Sequence, residues 1–284
     1  MSIEIYYFSG TGNSLHVAKE LQKRIPQAKL IPIVSLLENE NIKTQSETVG
    51  FVFPIYLTTM PIPVKRFLDK LDVSSATYTF AAATRTGTFY IADIHIEKIL
   101  KKKGKSLQSF FILNMITNSP CGLVPKAFPG FKKMVDNWSN EITDEKAMQL
   151  EFAVQAKLDF IRDRVLAQEK YLDERSALQT FYKRSVALIM APAQKSKGNT
   201  PIPFYADSTC TGCGTCQKVC PSGKVKLLDK SPEWQKNIAC YFCYACFNSC
   251  PEQAVLLLDK YALKKGRYLY PGIGPDEIAK QKHG

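Results

Sequence analysis

The sequence predicts an α/β protein in two parts: a doubly wound parallel sheet, then, after a helical connector, a small α+β domain built around cysteines. Three observations carry this expectation. Apolar runs alternate with helical patterns through the N-terminal half, eight of the nine cysteines crowd between residues 210 and 250, and a length of 284 residues suits two modest domains. The boundaries expected are 1–140 for the sheet domain, 141–206 for the connector, and 207–284 for the cysteine domain with a C-terminal extension.

Five strands are expected at 3–8, 30–34, 49–53, 79–83 and 110–115. Their near-continuous apolar character suits strands buried on both faces, as in a parallel sheet covered by helices. Ligands of such sheets lie beyond the carboxyl ends of the strands. The informative loops therefore follow Phe8, Phe53, Ala83 and Met115.

The first loop, Ser9-Gly10-Thr11-Gly12-Asn13-Ser14, opens an amphipathic helix through Leu15, Ala18, Leu21 and Ile25. Hydroxyls, an amide and glycines at a helix N-terminus offer neutral donors and a favourable dipole to a phosphate. The loop has no Lys, which excludes a triphosphate loop, and no Gly-x-Gly-x-x-Gly, which argues against a dinucleotide. A single phosphate monoester held mainly through Ser9, Thr11, Asn13 and Ser14, with Gly12 for the turn, describes FMN. An ordinary turn and N-cap is the alternative. After the third strand, Pro54 braces a loop whose Tyr56 is placed to lie against a flavin ring or to serve as a rim aromatic. After the fourth, Thr84, Thr86 and Gly87 allow close backbone approach to the ring's polar edge, and Arg85 is read either as balancing an anionic flavin or as a surface ion pair. The fifth loop, from Asn114 to Gly122, is assigned no role. Its Cys121 is either a reactive thiol or an inert turn residue.

In the connector, Leu150, Val154, Leu158, Ile161 and Val165 recur at helical steps and predict one long helix from about 144 to 175. A second helix is expected at 177–191, with both helices packing against both domains. Phe204 and Trp234 are expected to close the core of the cysteine domain.

The cysteines form two copies of one pattern, Cys210-x2-Cys213-x2-Cys216-x3-Cys220-Pro and Cys240-x2-Cys243-x2-Cys246-x3-Cys250-Pro, thirty residues apart. Val225, Leu227, Leu228, Asp229 and Lys230 return as Val255, Leu257, Leu258, Asp259 and Lys260, so each half reads as a binding loop, a turn of helix and a strand. Zinc sites more often place two ligand pairs a dozen or more residues apart, without a third Cys or a following Pro. Disulfides are disfavoured in a chain with no secretory leader.

The spacing is similar to that of bacterial two-cluster ferredoxins, in which the fourth Cys of each run serves the other cluster. Carried onto this chain, Cys210, Cys213, Cys216 and Cys250 hold one [4Fe-4S] cluster, and Cys240, Cys243, Cys246 and Cys220 hold the second. The N-terminal loops, with Pro54-x-Tyr56-x4-Pro61, resemble those of flavodoxins. The two modules in this order resemble the flavodoxin/ferredoxin fusion proteins common in anaerobic microbes. That resemblance implies a flavodoxin-like sheet, FMN, two clusters, and electron transfer between them that links a one-electron carrier to a two-electron partner. The rival readings are an FMN-dependent reductase of a quinone, disulfide or nitro compound, and an iron-sulfur redox sensor whose sheet domain binds no flavin.

The formal charge is +12, and two oxidised clusters and a flavin phosphate would bring it to about +6. The basic residues are scattered without aromatic interleaving, which argues against nucleic acid. They suit an acidic redox partner, with an acidic ferredoxin as the candidate. Met1 leads directly into an apolar strand, and the longest later apolar stretch, 186–193, is too short to span a bilayer, so a cytoplasmic location is expected.

Overall fold

The computed structural model describes residues 2–87, 89–119, 129–130, 133, 136–137, 140, 142–174, 177–195, 204–257, 264 and 266–283. Cys121, Leu258, Asp259 and Lys260 lie outside the described residues. The N-terminal elements are β1 (Ile3–Tyr7), α1 (Asn13–Arg24), β2 (Ala28–Pro32), β3 (Ile42–Lys43), β4 (Thr48–Pro54), α2 (Ile62–Lys70), β5 (Leu71–Asp72), β6 (Tyr78–Arg85), α3 (Ala92–Lys101) and β7 (Ser109–Asn114). Then come α4 (Asp144–Leu166), β8 (Tyr171–Leu172) and α5 (Ala177–Lys195).

The sheet runs β2-β1-β4-β6-β7-β8, with every pairing parallel. This is the doubly wound, flavodoxin-like order, whose reversal lies between β1 and β4. Six of the seven residues of β4 and seven of the eight of β6 are buried, as strands covered on both faces should be. α1 covers one face through Leu15, Val17, Ala18 and Leu21, and α2 contributes Val64, Phe67 and Leu68. All five expected strands form. β2 ends two residues earlier than expected because the chain leaves the sheet at Ile33, whose N–H still bonds Tyr7 O, and turns into a 3-10 segment, Val34–Leu36.

The long helix departs from expectation. It is capped by Thr143, whose hydroxyl accepts from Lys146 N–H, but it ends at Leu166 rather than near 175. The chain then turns through Gln168 at φ +53° and returns as β8 beside β7. The predicted face is nevertheless the buried one: Val154, Leu158, Ile161 and Val165 enter the core of the sheet domain. α4 thus packs on the sheet through Val154 to Val165, β8 extends that sheet, and Ile142 just before the helix packs against the core of the cysteine domain. α5 is tied to the same domain by Lys183, which pairs with Asp93 at 3.4 Å and lies 3.6 Å from the Tyr90 ring. No described helix is long and apolar enough to cross a membrane.

The C-terminal part contains β9 (Phe204–Ala206), α6 (Thr215–Val219), β10 (Val225–Leu228), β11 (Ser231–Trp234), α7 (Ala245–Asn248), β12 (Val255–Leu257) and α8 (Pro275–Lys280). β10 and β11 form a hairpin whose two turn residues, Asp229 and Lys230, both have positive φ, and β12 pairs antiparallel with β9. Phe204 stacks on Trp234 at 5.9 Å in this small core. Tyr241, Cys243 and Ala245 belong to the core of the sheet domain instead, so the two parts share apolar packing.

The C-terminal extension leaves the cysteine domain and closes on the first loop. Arg267 donates to the carbonyls of Phe247, Gln253 and Val255, and Tyr270 N–H bonds Thr11 O. Gln281 exchanges two hydrogen bonds with the Ser9 backbone.

Candidate functional site

A cavity of about 410 Å³ opens at the carboxyl ends of β1, β4 and β6, at the point where the strand order reverses. Of the candidate residues, Ser9, Thr11, Asn13, Ser14, Pro54, Tyr56, Thr84 and Thr86 line it, while Gly12 and Gly87 do not. Gly12 acts in the backbone instead. Its φ of +101° turns the chain into α1, and a Cβ there would stand 2.7 Å from Cβ of Tyr270, so the C-terminal extension needs the glycine too. Gly87 also has positive φ, but faces open space.

The polar groups of the first loop divide their duties. The Ser9 hydroxyl accepts from Gly12 N–H at 3.1 Å and keeps its own proton to donate. Ser14 shares a 2.8 Å hydrogen bond with Thr84 across the mouth of β6. Asn13 is largely committed to the protein: its amide donates to Ile116 O at 2.8 Å and accepts from Tyr268 at 2.9 Å. A phosphate here would therefore rely on the first N–H groups of α1 and on the Ser9 and Thr11 hydroxyls more than on Asn13. Arg85 also lines the cavity, but its guanidinium is paired with Glu174 and bonded to Asn114. The ion-pair reading of Arg85 is the one the geometry gives.

Tyr56 is buried, edge-on to Phe8 at 6.4 Å. Burial raises its pKa well above the usual tyrosine range, and proximity to the Cys243 sulfur pushes the same way. The unassigned fifth loop proves central. Ile116, Thr117, Asn118 and Ser119 all line the cavity; Asn118 donates to Cys243 O at 3.2 Å and accepts from the Asn248 amide at 2.9 Å. The cavity wall is completed by Phe242 and Tyr244, from inside the second cysteine run.

The two runs differ in a way that explains this docking. Gly212 and Gly214 of the first copy correspond to Phe242 and Tyr244 of the second, and all four residues have positive φ, between 54° and 77°. A side chain costs about 1–2 kcal/mol per residue in that conformation, so the second copy accepts backbone strain to present two aromatics to the cavity. This glycine-to-aromatic exchange was readable in the sequence as the signal that the second loop is buried and the first exposed.

The eight thiols separate into two groups. Cys210, Cys213, Cys216 and Cys250 surround one void; Cys220, Cys240, Cys243 and Cys246 surround another, and Tyr244 walls both the second void and the large cavity. The first group reaches solvent at Cys213, whose thiol is lowered by hydrogen bonds from Thr215. Burial pushes Cys216 and Cys240 up to about 11, and raises Cys243 and Cys246 as well. Thiols raised in this way stay protonated until a metal centre displaces their protons, and four sulfur donors per void suit iron-sulfur chemistry. Among the described residues no three His, Cys, Asp or Glu side chains form a single-ion site.

Comparison with known proteins matches residues 209–255 to the family of 4Fe-4S dicluster domains. No curated protein matches the chain. Similar solved structures include an FMN-dependent NADH-azoreductase from Bacillus anthracis in complex with FMN, at 8% identity and TM-score 0.36, covering 58% of this chain and 99% of that one. An NAD(P)H:quinone oxidoreductase from Methanothermobacter marburgensis is 11% identical at TM-score 0.26, covering 50% and 94%. The Trp repressor binding protein from Bacillus subtilis is 16% identical at TM-score 0.31, covering 40% and 84%. Likenesses this partial leave the fold resting on the strand order itself.

Proposed function

We propose that the chain is an electron-transfer iron-sulfur flavoprotein of the flavodoxin/ferredoxin fusion type, with FMN in the large cavity and a [4Fe-4S] cluster in each void. The observation that carries this reading is the wall common to the cavity and the second void, where strained Tyr244 faces both. Flavin exchanges one or two electrons and each cluster one, so the pairing would link one-electron carriers to a two-electron partner. On this reading Ser9, Thr11 and the N-terminus of α1 hold the phosphate, and Ser14 and Thr84 fix the loop. Cys243 then stands between the flavin and its neighbouring cluster.

The relay has an order. The cluster of Cys220, Cys240, Cys243 and Cys246 is the inner station, and that of Cys210, Cys213, Cys216 and Cys250 is the outer one, because only its Cys213 is exposed. A soluble redox protein would dock there, beside exposed Lys226 and Lys230, and an acidic ferredoxin fits that description. A cavity of about 410 Å³ is near the lower end for a whole ligand site, which favours a flavin alone over a flavin with a second reactant.

Protein purified without oxygen is expected to contain about one FMN, about eight iron and about eight acid-labile sulfide per chain. Stoichiometric zinc in place of iron would overturn the cluster assignment. Iron without flavin would favour a sensor over an electron carrier.

A further inference from the structure

The two cysteine runs are followed by different residues at one equivalent position, Lys224 after the first and Ala254 after the second. Lys224 is 7% exposed, and it lines the void of Cys220, Cys240, Cys243 and Cys246. Its ammonium donates to Gln235 O at 2.5 Å and to Ile238 O at 2.6 Å. An ammonium has three donors, so two carbonyls leave one over. No carboxylate pairs with it among the described residues. Burying a cation against carbonyls alone is unfavourable, and what the ammonium has beside it instead is the thiol-lined void, where its charge acts on Cys240.

Resting on the two-cluster reading above, we infer that Lys224 is the counter-cation of the inner cluster and raises its reduction potential. Each one-electron reduction adds one negative charge to a cluster. The apolar walls around the inner one, including Phe204, Trp234 and Tyr244, oppose that added charge, whereas the outer cluster has solvent beside Cys213. Burial alone would therefore make the inner cluster the harder of the two to reduce. A cation across the void offsets the penalty and keeps the inner station reachable from the outer one. Lys224 touches no reacting atom of a substrate; it acts on the equilibrium.

The test is a redox titration of the intact, anaerobic chain followed by paramagnetic resonance, with Cys220→Ala used to identify which wave belongs to the inner cluster. Lys224→Gln, which keeps a donor for the carbonyls but loses the charge, should lower the reduced-to-oxidised ratio of that wave about tenfold at a fixed potential. That is about 59 mV for a one-electron couple. Lys224→Met should do the same, Lys224→Arg should stay near the unaltered chain, and the other wave should move far less. An unmoved inner wave in Lys224→Gln, an equal shift of both waves, or loss of inner-cluster iron from both neutral variants would overturn the inference, the last by making the amine only a brace. Absence of any Cys220-dependent wave in the unaltered chain would instead overturn the two-cluster reading and this inference with it.

Discussion

Cys220→Ala is expected to abolish the inner cluster and spare the outer one, so that iron falls from about eight to about four per chain. In sequence Cys220 lies four residues from Cys216, and a reading by proximity would give it to the same metal centre. The fold separates them. Cys216 has Cys210, Cys213 and Cys250 as its electrostatic neighbours, while Cys220 acts on Cys240, Cys243 and Cys246. The run Cys220-Pro221 follows the end of α6 and carries the thiol across to the partner loop. Loss of the paramagnetic signal of the outer cluster, with the inner one retained, would contradict this assignment. In the proposed relay the inner cluster would stand between flavin and outer cluster, so the same variant should also stop internal electron transfer even with FMN bound.

Gly10→Ala is expected to keep both kinds of cofactor but to slow transfer between them more than tenfold. Gly10 lines the cavity, and a methyl placed on it would lie 2.5 Å from the Cys243 carbonyl oxygen, 2.5 Å from the Tyr56 hydroxyl and 3.0 Å from Cys243 Cβ. No flexible side-chain end is available to yield at Cys243, so the two loops must part. Overpacking of this kind costs about 1–3 kcal/mol. Electron transfer falls steeply with separation, so the rate should register the shift more strongly than stability does. Gly274→Ala, where a Cβ meets nothing within 4 Å, is the silent control. A folded Gly10→Ala protein with an unaltered internal rate would show that the approach of Gly10 to Cys243 is incidental.

What was legible in the sequence was what has local periodicity or fixed spacing. The apolar runs announced the strands, the hydroxyl-rich loop announced the cavity, and helical steps picked out the face of α4 that is buried. The end of α4 was not legible, because β8 is only two residues long and its place is set by pairing with Ser109 and Phe110 far back in the chain. The fifth loop was placed at the ligand end of the sheet, but the roles of its residues were not legible for a similar reason. Ile116 acts through its backbone carbonyl, and Asn118 through a partner 125 residues away. The C-terminal extension carries no motif at all; Tyr268, Tyr270 and Gln281 matter only because the fold lays them on the first loop. The aromatics of the second cysteine run were in plain sight, and comparing them with Gly212 and Gly214 would have located the docking face.

On the proposed function, flavin and clusters form one relay within a single molecule. Sharing a chain would hold each near the other at high effective concentration, and the packing of Tyr241, Cys243 and Ala245 into the core of the sheet domain would fix their separation. The most direct measurement is the rate at which flavin, rapidly photoreduced in otherwise oxidised protein, is reoxidised by the clusters across a wide range of protein concentration. The relay predicts a first-order rate that does not change with concentration and barely changes with salt. A rate that rises in proportion to concentration would mean that electrons pass between molecules, and would contradict it.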